Sequence, residues 1–128
     1  MNTDFKNRIQ VIEKINDVPV ILYQEQKRPS KAEKVLLWNY LEEVSTANGD
    51  CYFIIDVSGS APPSAEVRAQ IKKNLKLSKV HFLHSYIIPG SNLFVKFGLK
   101  FVMSSMGLGK FTVVKSKKDA LSHIKDHV

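Results

Sequence analysis

Near the start of the chain apolar and polar positions alternate, with Ile9, Val11 and Ile15 interleaved with Gln10, Glu13 and Lys14. A period of two is that of a strand with one face buried. Asn16-Asp17 interrupts the pattern and an apolar run resumes from Val18 to Tyr23, so the pattern predicts two strands joined by a tight turn. Pro19 cannot donate to a sheet ladder and belongs at the start of the second strand or on an edge-facing position. Residues 1–6, ahead of this hairpin, are mostly polar and read as a flexible lead.

The period then changes. Pro29-Ser30-Lys31-Ala32-Glu33 offers a Ser-x-x-Glu capping box, in which hydroxyl and carboxylate each satisfy a backbone N–H at a helix start. Val35, Trp38 and Leu41, with Leu37, Tyr40 and Val44, recur at helical spacing up to the stop at Asn48-Gly49. Cys51 to Val57 is a short continuous apolar run, the profile of a central strand covered on both faces. Pro62-Pro63 suits the first turn of a second helix carrying Val67, Ile71 and Leu75 on one stripe. Val80 to Ile88 is predicted as a strand closed by Pro89-Gly90, Leu93 to Met106 as an apolar helix ended by Gly107, and Phe111 to Val114 as a strand. Ser116-Lys117-Lys118-Asp119 then caps a short final helix with Ala120, Leu121 and Ile124. The predicted order is β-β-α-β-α-β-α-β-α, a single-domain α/β fold over residues 1–128 with a mixed, mostly parallel sheet.

The central segment Tyr52-Phe53-Ile54-Ile55-Asp56-Val57-Ser58-Gly59 follows a hairpin and a long helix and ends in Asp and Ser. The closing segment Phe111-Thr112-Val113-Val114-Lys115-Ser116-Lys117-Lys118-Asp119-Ala120-Leu121 pairs a last strand with an acidic-capped helix. Together they resemble the SpoIIAA-like, or STAS, family over nearly the whole chain. The resemblance implies a fold related to bacterial anti-sigma-factor antagonists and to the cytoplasmic domains of anion transporters, within a group that includes lipid-binding relatives. It also implies a phosphorylatable serine where the helix after the central strand begins. The chain departs from the family's Asp-Ser-Ser-Gly-like segment there, reading Val57-Ser58-Gly59-Ser60-Ala61-Pro62-Pro63-Ser64, so Ser58, Ser60 and Ser64 are phosphorylation candidates by position alone.

Composition narrows the compartment more than the function. Cys51 is the only cysteine, so no internal disulfide can form and it reads as a small buried hydrophobe in a reducing, cytoplasmic setting. Met1 to Arg8 lacks the apolar core of a signal peptide, and no run approaches the ~18 apolar residues of a membrane span. The net charge of +7, from 19 Lys and Arg against 12 Asp and Glu, suits an acidic partner, anionic lipid or nucleic acid without choosing among them.

Chemistry-bearing residues are sparse. Asp56, Ser58 and Ser60 fall where open α/β sheets bind ligands and form the best candidate site. Val57-Ser58-Gly59-Ser60 is not a Gly-x-Ser-x-Gly nucleophile elbow. His81 and His84, three apart on a strand, should face opposite ways, whereas His123 and His127, four apart on a helix, should share a face with no third metal ligand nearby. Gly107-Leu108-Gly109-Lys110 lacks the first glycine and the final Ser or Thr of a phosphate-binding loop and reads as a helix stop. Arg68, Lys72 and Lys76, with Lys73 and Lys79 nearby, make a basic ridge without stacking aromatics, which disfavours nucleic acid as a partner. The segment Leu93 to Met103 is apolar around too wide an arc for one buried face, so Phe94, Phe97 and Phe101 are candidates to meet a second surface.

These features point to a non-enzymatic, STAS-like regulatory or protein-interaction module that binds a protein partner or itself through the apolar helix and the Asp56–Ser60 loop. A binder of lipid or another apolar small molecule is the first alternative, and an enzyme using that loop the second. No cofactor or metal is expected.

Overall fold

The computed structural model describes residues 3–78, 80–89 and 111–127. Five strands form one sheet in the order β1-β2-β3-β4-β5, namely Ile9–Ile15, Val18–Gln24, Asp50–Asp56, His81–Ile88 and Phe111–Val113. The β1–β2 pair is antiparallel and the other three pairs are parallel, which is the mixed, mostly parallel α/β sheet predicted. Four helices accompany it among the described residues: α1 Thr3–Asn7, α2 Lys31–Asn48, α3 Ala65–Leu77 and α4 Lys117–Asp126. The predicted helix 93–106, with Phe94, Phe97 and Phe101, and the Gly107–Lys110 turn lie outside the described residues.

The hairpin turn is as tight as Asn16-Asp17 suggested. Both residues adopt positive φ, 51° and 66°, the geometry that lets a two-residue turn follow the right-handed twist of its strands. Pro19 comes before the first β2–β3 partner pair, Val20 and Tyr52, so its missing N–H costs that ladder nothing.

Successive parallel strands lie side by side, and right-handed crossovers advancing in one direction place α2 and α3 on the same face. There Leu37, Trp38 and Leu41 of α2 and Ile71 and Leu75 of α3 close over Ile21, Cys51 and Phe53. The opposite face carries Val20, Ile54, Tyr86 and Ile88 and receives Ala120 and Ile124 of α4. β3 is thus covered on both sides, which explains its unbroken apolar run. The buried stripe of α2 begins at Glu33 and Lys34, while Val35, expected on that stripe, is 43% exposed.

The lead holds the short helix α1, with Phe5 buried in the core beside Tyr23, ring centroids 6.2 Å apart. One local expectation needs correction. Pro62-Pro63 precedes the second crossover helix and does not form its first turn: Ser64 is the N-cap, its hydroxyl accepting from Val67 N at 3.3 Å. The other two caps fall where expected, at Ser30 and Ser116.

Cys51 is fully buried, and burial, with a smaller contribution from Asp50, pushes its thiol up to about 12. The unfolded thiol ionises from about pH 8.5 upward while the folded one keeps its proton, so in that window stability falls by about 1.4 kcal/mol per pH unit. Cys51→Ala should therefore lose less stability than the parent between pH 8 and 10, compared by urea denaturation at each pH. Because Asp17 holds a left-handed conformation that suits glycine, Asp17→Gly should raise the unfolding free energy by about 1 kcal/mol in the same assay.

Candidate functional site

At the carboxyl end of β2 the chain gathers five ionisable or hydroxyl side chains that periodicity did not single out. Arg8 sits between α1 and β1, Tyr23 and Glu25 stand at the end of β2, and Glu33 and Lys34 open α2. Glu33 and Lys34 are each 1% exposed, and a buried charge must be paired and hydrogen-bonded. Both conditions hold. Arg8 spends all five guanidinium N–H donors: Nε (3.2 Å) and one Nη (2.9 Å) on Asp4, two N–H groups on Glu33, and one on Gln24 O at 2.7 Å. Tyr23 donates its phenol hydrogen between Glu33 and Glu25, the latter at 2.8 Å, and accepts from Lys34 Nζ at 3.1 Å. Lys34 also pairs with Glu25.

The titration directions follow from this packing. The hydrogen bond to Glu33 holds Arg8 above its ordinary value, and burial drives the Tyr23 phenol far up. Burial lowers Lys34, against the pull of Glu25. The predicted capping box is therefore half made: Ser30 Oγ accepts from Glu33 N at 3.3 Å, but the Glu33 carboxylate is taken by Arg8 and Tyr23, and Ser30 Oγ donates to Gln26 at 2.7 Å.

Above the cluster lies an open cleft of ≈ 720 Å³ bordered by Arg8, Glu25, Gln26, Lys27, Arg28 and Gly59. Its two walls are the loops after β2 and after β3, held together by Glu25 N to Asp56 O at 2.9 Å and Ala61 N to Lys27 O at 2.8 Å. Of the sequence-predicted loop Gly59 borders the cleft, at the strand ends where such sheets bind ligands, whereas Asp56, Ser58 and Ser60 are not among its lining residues.

Asp56 and Ser58 are brought together: Asp56 Oδ1 accepts from Ser58 N at 2.9 Å and from Ser58 Oγ at 2.6 Å. This is a turn closed on itself, with neither a histidine nor a second carboxylate among these bonds. Ser60 points elsewhere, its Oγ shielded from solvent without a hydrogen-bond partner among the described residues. Ser64 is occupied as a helix cap, and Ser58 is the exposed hydroxyl of the loop itself.

The histidines do not join this site. An irregularity between Cys51 and Tyr52 pairs His81 with Asp50 and His84 with Tyr52, leaving Leu83 as the extra residue. His81 and His84 consequently share a sheet face, contrary to the simple alternation, yet remain separate. His81 Nδ1 meets Asp50 at 2.5 Å and His84 Nε2 meets Thr112 Oγ1 at 2.6 Å. Among the described residues no three His, Cys, Asp or Glu side chains are placed to hold a metal, and no helix is long and apolar enough to cross a membrane. On the basic ridge Arg68 turns inward to donate to Pro63 O at 2.9 Å, leaving Lys72, Lys73 and Lys76 exposed.

Removing one partner of a buried ion cluster strands the other charge. Glu33→Leu should cost about 3–5 kcal/mol. Arg8→Met/Glu33→Leu, which removes both charges, should recover part of that loss in a urea-denaturation cycle; equal or greater loss in the double variant would show that the pair is not coupled.

No protein-family model, curated protein or solved structure matches the chain, so what the site does rests on its own geometry.

Proposed function

We propose that the chain is a non-enzymatic, STAS-like regulatory module that binds a protein partner at the carboxyl end of its parallel strands. The observation that carries this reading is the cleft between the two loops. Its floor is a charge cluster whose donors and acceptors are committed to one another, and its exposed rim carries Asp4, Lys27, Arg28 and Gly59. A catalytic site needs a group with spare hydrogen-bonding capacity aimed at a substrate. Here Asp56 and Ser58 bind each other, and the rim is a preorganised, net cationic surface suited to recognition.

The STAS-like reading draws support from the sequential strand order, from the hairpin at one edge of the sheet, and from Asp56 and Ser58 at the end of the middle strand. Phosphorylation of Ser58 would add about two negative charges beside Asp56, changing the charge that a partner meets.

Gly59 tests the proposal, because a side chain built there meets nothing within 4 Å. Gly59→Arg should fold as the parent does, yet lose at least about tenfold in retention of a protein bound from an extract of the source cell, a loss of about 1.4 kcal/mol. Glu42→Arg, on an exposed position of α2, should retain it. A bound set that both variants hold equally would place the interaction elsewhere.

A further inference from the structure

The sheet face opposite α2 and α3 carries a second polar assembly, remote from the cleft. Tyr86 of β4 is 2% exposed, and its hydroxyl lies 2.7 Å from Nδ1 of His123 on α4. The His123 ring stacks on His127 at 4.1 Å and on His84 of β4 at 5.9 Å, with Tyr86 edge-on at 5.3 Å. His127 Nδ1 in turn donates to His123 O at 2.8 Å, closing the last turn of the helix. Three imidazoles and a phenol are thus packed where α4 crosses the sheet.

Burial pushes the Tyr86 phenol up to about 12, so it keeps its hydrogen wherever imidazoles titrate. A buried O–H requires an acceptor, and Nδ1 of His123 is one only while its lone pair is free, that is, in the neutral Nε2–H tautomer. Protonating His123 turns Nδ1 into a donor, from which the Tyr86 oxygen can accept, but the buried Tyr86 O–H then loses its acceptor. Protonating His127 as well sets two like charges one ring-stack apart.

Among the described residues on the neighbouring elements, little offsets this. From β1, Glu13 faces the helix but is paired with Lys125 at 3.2 Å. From β3 and β5 come the hydroxyl side chains of Tyr52 and Thr112, the latter bonded to His84. On α4 itself Asp119 and Asp126 flank His123 by one turn, with exposed side chains whose effect water and salt screen.

We propose that this assembly is a pH-sensitive latch: neutral imidazoles hold α4 on the sheet, and their protonation frees the helix and uncovers Val20, Ile54 and Ile88. A helix of 10 residues has little stability of its own, and α4 is otherwise anchored mainly by Ala120 and Ile124. Loss of one polar contact therefore weighs heavily on its docking.

Amide hydrogen exchange on the full chain tests the latch, with rates corrected for their intrinsic pH dependence. From pH 7.5 to 5.0 the protection of α4 amides should fall at least about tenfold while that of β3 amides changes less than about threefold. In Tyr86→Phe/His127→Gln, which removes both the buried donor and the stacked second charge, the extra fall in α4 should shrink to about twofold or less. An unchanged α4 in the parent, an equal fall in α4 and β3, or a double variant that keeps the full difference would each overturn the proposal. The parent measurement decides by itself should the variant not fold.

Discussion

A carboxylate buried to 1% exposure at the start of a helix leaves a fold little freedom, and Glu33 is that constraint here. Its charge is held by Arg8, which must arrive from the turn between α1 and β1, and by Tyr23, which must come from the end of β2. One side chain thus fixes three elements relative to one another. Phe5 is brought over Tyr23 by the same geometry, so α1 packs despite being only five residues long. Lys34 extends the network to Glu25, while its backbone carbonyl accepts from Asn74 at 3.2 Å and ties α3 to α2. Such networks favour a unique arrangement more than they add net stability, because desolvating the charges consumes much of what pairing returns.

This arrangement shapes what the molecule can do. Side chains that elsewhere supply catalysis are engaged in holding α2 to the sheet, with titration behaviour set by burial and by one another. Strongly shifted groups often mark active sites, but a structural ion network shifts them equally well. Hydrogen-bond capacity separates the two cases. Arg8 has no N–H to spare and Lys34 is enclosed, so neither can meet a ligand without leaving a carboxylate unpaired. What the network offers is a rigid platform on which the loops after β2 and β3 are presented.

Much of the architecture was legible because it depends on local pattern. The period-two run with Asn16-Asp17 specified the hairpin, the unbroken run from Cys51 specified a strand buried on both faces, and Ser30 and Ser116 marked helix starts. The Asp56–Ser58 contact was also within reach, since a residue two positions from an Asp is where an Asp-closed turn delivers its N–H. What escaped depends on distant partners. Nothing in a helical pattern announces that Glu33 and Lys34 will be buried and Val35 exposed, because the decision lies with Arg8, Tyr23 and Glu25. The extra residue in β4 is similarly set by pairing across strands: it keeps Phe82 against Phe53 on the α2 side while turning His84 to the other.

That irregularity connects the two halves of the molecule. Without it the alternation of β4 would put Phe82 and His84 on one face, and either the Phe53–Phe82 stack at 5.4 Å or the stack of His84 on His123 would be lost. With it, one strand serves an apolar core on the α2 and α3 side and a largely aromatic and imidazole contact on the α4 side. The two sides are therefore built to different tolerances. Glu33 and its partners fix the first through a closed network of charge-assisted hydrogen bonds, whereas the second relies on stacked imidazoles and a single phenol–imidazole contact. The latch proposed for α4 would accordingly act on the second side and leave the Glu33 network of the first in place.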